Sequence, residues 1–218
     1  MTRSFNPAAT QELVQAYHSA NIDVVADLVA RGANIDARLE TGKTLLQAAV
    51  ASRMEAMAFT LLANGADMNL LSEDDGYAPL HYAIQSNYTA MIDTLLTRGA
   101  DPDIRGRSGI TPLHIAAEET NLRNIKALLK HGADVAAEDV HGRTPRRVAE
   151  IRARESFSFA AQEYGRTADY LKPLEDARRA ELDAIKAKQD MRKQAQSERD
   201  SLHKSHNPAQ FRLKPPRK

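Results

Sequence analysis

Apolar residues along the chain fall in short clusters rather than long runs. Leucine pairs stand at Leu61-Leu62, Leu95-Leu96 and Leu128-Leu129, and small residues precede each pair: Ala48 and Ala49, then Ala83, then Ala116 and Ala117. Polar stretches carrying glycine separate the clusters. The pattern predicts a repeated unit of a glycine-marked turn, a short first helix, a second helix and a glycine stop. The alanines let neighbouring helices approach closely, and the leucines fill the space between units. From Lys172 to about Asp200 the pattern changes, and Ala, Glu, Lys, Arg and Gln, all strong helix formers, dominate. Leu171, Leu174, Leu182 and Ile185 recur there at partly helical spacing before the stripe stops. A helix packed only at its start is expected, because two poor heptads fall short of the three or four that a coiled coil needs.

Period carries more than local pattern. Gly42, Gly76, Gly109 and Gly142 are separated by 34, 33 and 33 residues, and Gly32, Gly65, Gly99 and Gly132 by 33, 34 and 33. Two interleaved glycine series at one period mark a stacked array. The first series is followed by TLLQAA, APLHYAI, TPLHIAA and TPRRVAE, and the second is set in RGANIDA, NGADMNL, RGADPDI and HGADVAA. These blocks are T-P-L-H-x-A and G-A-D-x-N, and the chain resembles an ankyrin-repeat protein over residues 6 to 175. A tetratricopeptide array has a similar period, but its tryptophan and Leu-Gly signature is missing and the chain contains no tryptophan. The triplet Gly42-Lys43-Thr44 imitates the end of a phosphate-binding loop, yet the first glycine of such a loop would fall on Ala37.

The fold class expected is therefore all-α: a solenoid of five repeats at 6-38, 39-71, 72-105, 106-138 and 139-175, then a charged helix at 176-200 and a disordered basic tail at 201-218. Thr111 and Pro112 suit an N-cap and the first helical position, where the missing N–H of proline costs nothing. His114 sits where its side chain can reach back to that cap. Thr44 and Gln47 match a capping box, and Ala78 gives up the cap hydroxyl, a loss of about 1 kcal/mol. Asn6 and Pro7 would open the N-terminal capping repeat. Arg146 and Arg147 replace the core leucine and the histidine in repeat five, as expected where one face meets water. That repeat also carries an insertion: Thr111 to Leu128 spans 17 residues, whereas Thr144 to Leu171 spans 27. The extra residues are expected to project from the stack, with Phe157, Phe159 and Tyr164 covering the end of the array.

Charge divides the chain. Residues 1–150 carry 14 Lys and Arg against 19 Asp and Glu, and residues 151–218 carry 16 against 10, net −5 and +6. The two parts should have different jobs or partners. No cysteine is present, so disulfides and thiolate metal sites are excluded. No apolar run approaches the roughly 18 residues of a membrane-spanning helix, and MTRSFNPAAT lacks the apolar core of a signal peptide. A cytoplasmic monomer is expected. The resemblance extends to bacterial ankyrin proteins delivered into host cells, some with basic C-terminal secretion signals; Phe211 to Lys218 would be the counterpart. A basic tail could also draw nucleic acid or an anionic membrane.

No catalytic motif emerges, and no cofactor, metal or small-molecule substrate is expected. His81 and His114 belong to the repeat motif, His131 to a helix end, and His203 and His206 lack a third ligand. Glu73-Asp74-Asp75-Gly76 lacks spaced calcium ligands and is expected to be a charged tip. The resemblance implies instead a non-catalytic module that binds a protein partner on its concave side, formed by the tips and the outer face of the first helices. Carried over by position, repeat two would present Glu40, Thr41, Lys43, Ala51 and Ser52, and repeat three Asp74, Asp75, Tyr77, Gln85 and Ser86. Repeat four would add Arg107, Ser108, Ile110, Glu118 and Glu119, and repeat five Val140, His141 and Arg143. Tyr77 and Ile110 would be the energetic anchors, since apolar groups on a polar surface mark binding sites.

Overall fold

A computed structural model describes residues 5–156 and 159–205, with side chains to residue 197. The sequence pattern is realised as paired helices: α1 (Pro7–His18) with α2 (Val25–Ala30), α3 (Leu45–Ala51) with α4 (Glu55–Ala63), α5 (Pro79–Gln85) with α6 (Thr89–Thr97), and α7 (Pro112–Glu118) with α8 (Leu122–Lys130). Helix α9 (Pro145–Glu155) and the long α10 (Phe159–Ser205) follow. No strand forms among the described residues; a single bridge joins Arg38 and Thr44. The chain divides after Glu175 into two compact units.

Local chemistry starts each first helix where the sequence places it. Asn6 accepts from the backbone N–H groups of Ala8 and Ala9, with Pro7 at the first helical position. Thr44 accepts from Gln47 N at 3.2 Å while Gln47 Oε1 accepts from Thr44 N at 2.7 Å, a complete capping box. Ala78 has no hydroxyl, but its N–H donates to His81 Nδ1 at 3.1 Å, so half of the box survives. Each helix pair ends at a left-handed glycine, with φ near +90° at Gly65 and Gly99. A Cβ there would clash with its own backbone rather than with neighbours, since nothing else lies within 4 Å. The link between the paired helices also needs a left-handed residue, and here the chain spends Ala20, Arg53, Asn87 and Thr120, with φ of 53°, 55°, 48° and 53°.

One continuous core runs through the first unit. Leu46, Leu80 and Leu113, the leucines of the helix-start motif, are all buried, as are Leu61, Leu95 and Leu128 of the second helices. Each such side chain contributes about 2 kcal/mol by leaving water.

The end of the array departs from the expected arrangement in two ways. The insertion itself is helical, lengthening α9 to 11 residues against seven in α7 and starting α10 already at Phe159. Phe159 is 75% exposed and does not cover the end, Tyr164 is half-buried, and Phe157 lies outside the described residues. The covering is done by Ala168 and Leu171 of α10, both buried. Arg147 is exposed, but Arg146 is drawn partly inward, its side chain 25% exposed. Its Nε donates to Glu175 Oε2 at 2.6 Å, and Glu175 is 1% exposed. Leu174 is exposed, as are Leu182, Ile185 and Met191 further along α10. Helix α10 continues past Asp200 to Ser205, and the tail residues 206–218, with the secretion, nucleic-acid and membrane roles expected of them, lie outside the described residues. No described helix is long and apolar enough to cross a membrane.

Candidate functional site

The seams between repeats fix the backbone of the candidate surface. Gln47 Nε2 donates to the carbonyls of Leu70 and Tyr77 at 2.7 and 3.1 Å. In the next two seams histidine takes over. His81 Nδ1 accepts from Ala78 N–H, so Nε2 carries the proton and donates to the Ile110 carbonyl at 3.1 Å. His114 repeats this from Thr111 N–H to the Arg143 carbonyl at 2.8 Å. Both rings are kept neutral: burial pushes the His81 pKa down to about 4 and lowers that of His114. The three receiving carbonyls belong to Tyr77, Ile110 and Arg143, each one residue before the next helix cap. The side chains of these residues are thereby held in one column, which Lys43 continues into repeat two.

All four members of that column are half-buried. Tyr77 stacks on His81 with ring centroids 5.0 Å apart and meets Tyr82 edge-on at 5.9 Å. A Cβ at Gly106 would lie 2.9 Å from Tyr77 Cδ1, so the ring rests on that glycine. Tyr77 and Ile110 both pack against the core. They are part of the framework as well as of its surface, not apolar groups stranded among polar ones. Lys43 Nζ lies 3.3 Å from Asp74 and 5.5 Å above the Tyr82 ring.

The tips differ by one residue. Leu39 N–H bonds Lys43 O, Gly106 N–H bonds Ile110 O and Asp139 N–H bonds Arg143 O, but in repeat three Ser72 N–H bonds Tyr77 O across a loop one residue longer. Asp75 fills that loop from inside. Its Oδ1 accepts from Ser72 Oγ and Tyr82 Oη at 2.5 Å each and from Tyr77 N at 3.0 Å. Burial alone would raise the Asp75 carboxyl, but those bonds and nearby Lys43 hold it below the usual carboxylate range. The expected four-residue charged tip is thus only partly one: Glu73 and Asp74 are exposed, and Asp75 is turned inward.

Other expected residues take surface positions. Glu40 and Thr41 are exposed at the first tip, with Ala51 and Ser52 at the end of α3. Gln85 is exposed at the end of α5, whereas Ser86 turns back to donate to the Tyr82 carbonyl at 2.7 Å. Arg107 and Ser108 are exposed, and Arg107 Nη2 reaches the Asp74 carbonyl in the neighbouring tip. Glu119, Val140 and His141 are exposed as well. Arg143 pairs with Asp139 at 2.7 Å. Burial of Asp139 is outweighed by the hydrogen bonds from Arg143 and from His141 N–H, which lower its pKa.

Between repeats four and five the surface deepens into a cleft of about 320 Å³. Ile110, Val148 and Ile151 supply its apolar lining. On its rim Arg152 bonds Glu118 through Nη2 and Glu155 through Nη1 at 3.4 Å. The expected residues Ile110, Glu118 and Arg143 meet here, whereas Val148, Ile151, Arg152 and Glu155 were not anticipated. The repeat itself held the signal, for Ile151 and Arg152 stand 33 residues after Glu118 and Glu119. Among the described residues no group of three or more His, Asp or Glu side chains could hold a metal ion.

No curated protein matches the chain. A family model for ankyrin repeats in three copies matches residues 13–106, and one for ankyrin repeats in many copies matches residues 95–149. The seams made by Gln47, His81 and His114 and the helix starts from Thr44 onward lie within these matches, which together span more than half of the sequence, and the chain belongs to the ankyrin-repeat family.

Proposed function

We propose that this chain is a non-catalytic module that binds one protein partner on the face made by its tips and first helices. Ankyrin repeats are in general protein–protein interaction modules, and fold alone does not say which surface is used. The observation that supports this face is a contrast within the repeats. The seams use the same bond at the same place, yet the side chains they position are Lys43, Tyr77, Ile110 and Arg143, four different chemistries in one column. The position seven residues after each cap varies likewise, through Ala51, Gln85, Glu118 and Ile151. A constant framework with a variable face suits recognition of one partner, because discrimination comes from specific contacts and from repulsion of wrong ones.

The test is affinity capture with the full chain and two variants. Ala51→Arg with Gln85→Arg alters exposed positions on the proposed face, and Ala63→Arg with Thr97→Arg alters exposed positions on the second helices. The first pair should abolish capture of a partner that the unaltered chain and the second pair retain. Loss with the second pair alone would assign binding to the other side.

A further inference from the structure

The cleft between repeats four and five has a charge arrangement that selects its occupant. Its lining is apolar through Ile110, Val148 and Ile151. Asp139 and Arg143 on its wall neutralise one another at 2.7 Å. On the rim, the single guanidinium of Arg152 is shared by two carboxylates, Glu118 and Glu155. One negative charge is therefore left uncompensated above an apolar floor. Side-chain exposures of 39%, 46% and 59% for Glu118, Arg152 and Glu155 keep the rim within reach of a visitor.

We infer that this cleft, within the binding role proposed above, receives an arginine side chain of the partner. The aliphatic stem of arginine would lie along the three branched residues, as long basic side chains do on apolar surface. Its planar guanidinium would join the carboxylates through the paired donor geometry that suits them. Neither an acidic side chain nor a purely aliphatic one meets both halves of the cleft. Arg152 is then the internal competitor, occupying the same carboxylates when the partner is absent. This makes a prediction that a merely sticky hollow would not: removing Arg152 should strengthen binding.

The probe is N-acetyl-arginine amide, titrated at low salt into the full chain while the methyl signals of Ile110, Val148 and Ile151 are followed by NMR. N-acetyl-citrulline amide, of the same shape without the charge, and N-acetyl-norleucine amide are the comparisons. Arginine amide should shift those methyls saturably and bind on the order of two- to fivefold more tightly than either comparison, the range for a solvent-accessible ion pair. Arg152→Gln should tighten binding, and Glu118→Gln or Glu155→Gln should weaken it towards the citrulline level. Equal binding of arginine and citrulline amides, weaker binding by Arg152→Gln, or shifts absent from these methyls would overturn the inference. If arginine amide fails while the face variants still abolish capture, the binding role stands without this occupant. If capture is indifferent to the face variants, the role itself fails.

Discussion

The internal seams of the array and its last seam close the same kind of gap by different means. Between repeats two and five, a neutral Gln47, His81 or His114 ties one helix start to the carbonyl before the next cap. At the last seam no further repeat offers that carbonyl, and Arg146, in the place of buried Leu46, Leu80 and Leu113, pairs instead with Glu175 of α10. A neutral stitch needs only a donor and an acceptor in register, which glutamine and neutral histidine supply equally. A charged closure must recover the desolvation of both ions, and it does so only while both partners remain.

The largest effect should come from breaking that charged closure on one side. Glu175→Leu removes the buried carboxylate of Arg146 and leaves it the partly exposed Glu150 at 2.8 Å, and should cost about 3 kcal/mol in chemical denaturation, the low end for breaking a buried pair. Adding Arg146→Leu should recover most of it, since the internal seams place leucine there. A double variant as unstable as the single one would show that the ion pair does more than replace apolar packing.

The neutral seams should show themselves through pH. His81 has a folded pKa of about 4, below its unfolded value of about 6.5, because burial disfavours the charged ring. Between these values the unfolded chain binds the proton and the folded chain does not. The contribution is therefore complete above pH 6.5 and falls as pH drops towards 4, reaching a loss of about 3 kcal/mol at pH 4. His114 shifts in the same direction. Denaturation midpoints at a series of pH values should fall less steeply for His81→Gln, because Gln47 already fills that role without titrating. An unchanged slope would remove the ring from the account.

A smaller loss is expected at the longer tip. Tyr82→Phe deletes the donor to Asp75 and should cost about 1 kcal/mol by thermal melting. The smallest effect has the opposite sign. Thr120 holds φ at 53° between α7 and α8, strained for a branched residue, and Thr120→Gly should stabilise by about 0.5 kcal/mol, the left-handed strain less the added chain entropy of glycine.

The same comparison explains what could be read in advance. Helix starts and stops were legible because their chemistry is local: Thr44 with Gln47, Asn6 with Pro7 and the glycine stops all act within a few residues. Arg146 reads as fully water-facing because Glu175, the buried partner that draws it partly inward, lies outside the period and 29 residues away. Asp75 reads as a surface charge because a one-residue lengthening of a loop reveals nothing about which carboxylate turns inward. The cleft was half legible. Ile110, Glu118 and Arg143 came from register, but the register was not carried through α9 to Ile151 and Arg152, where the inserted residues hid the end of the helix.

The assignment of the binding face is tested most directly by hydrogen exchange on the full chain with and without its captured partner. The account predicts slowed exchange at the tips, residues 39–43, 72–77 and 106–110, with α4, α6 and α8 unchanged. Slowing confined to those second helices or to α10 would contradict it.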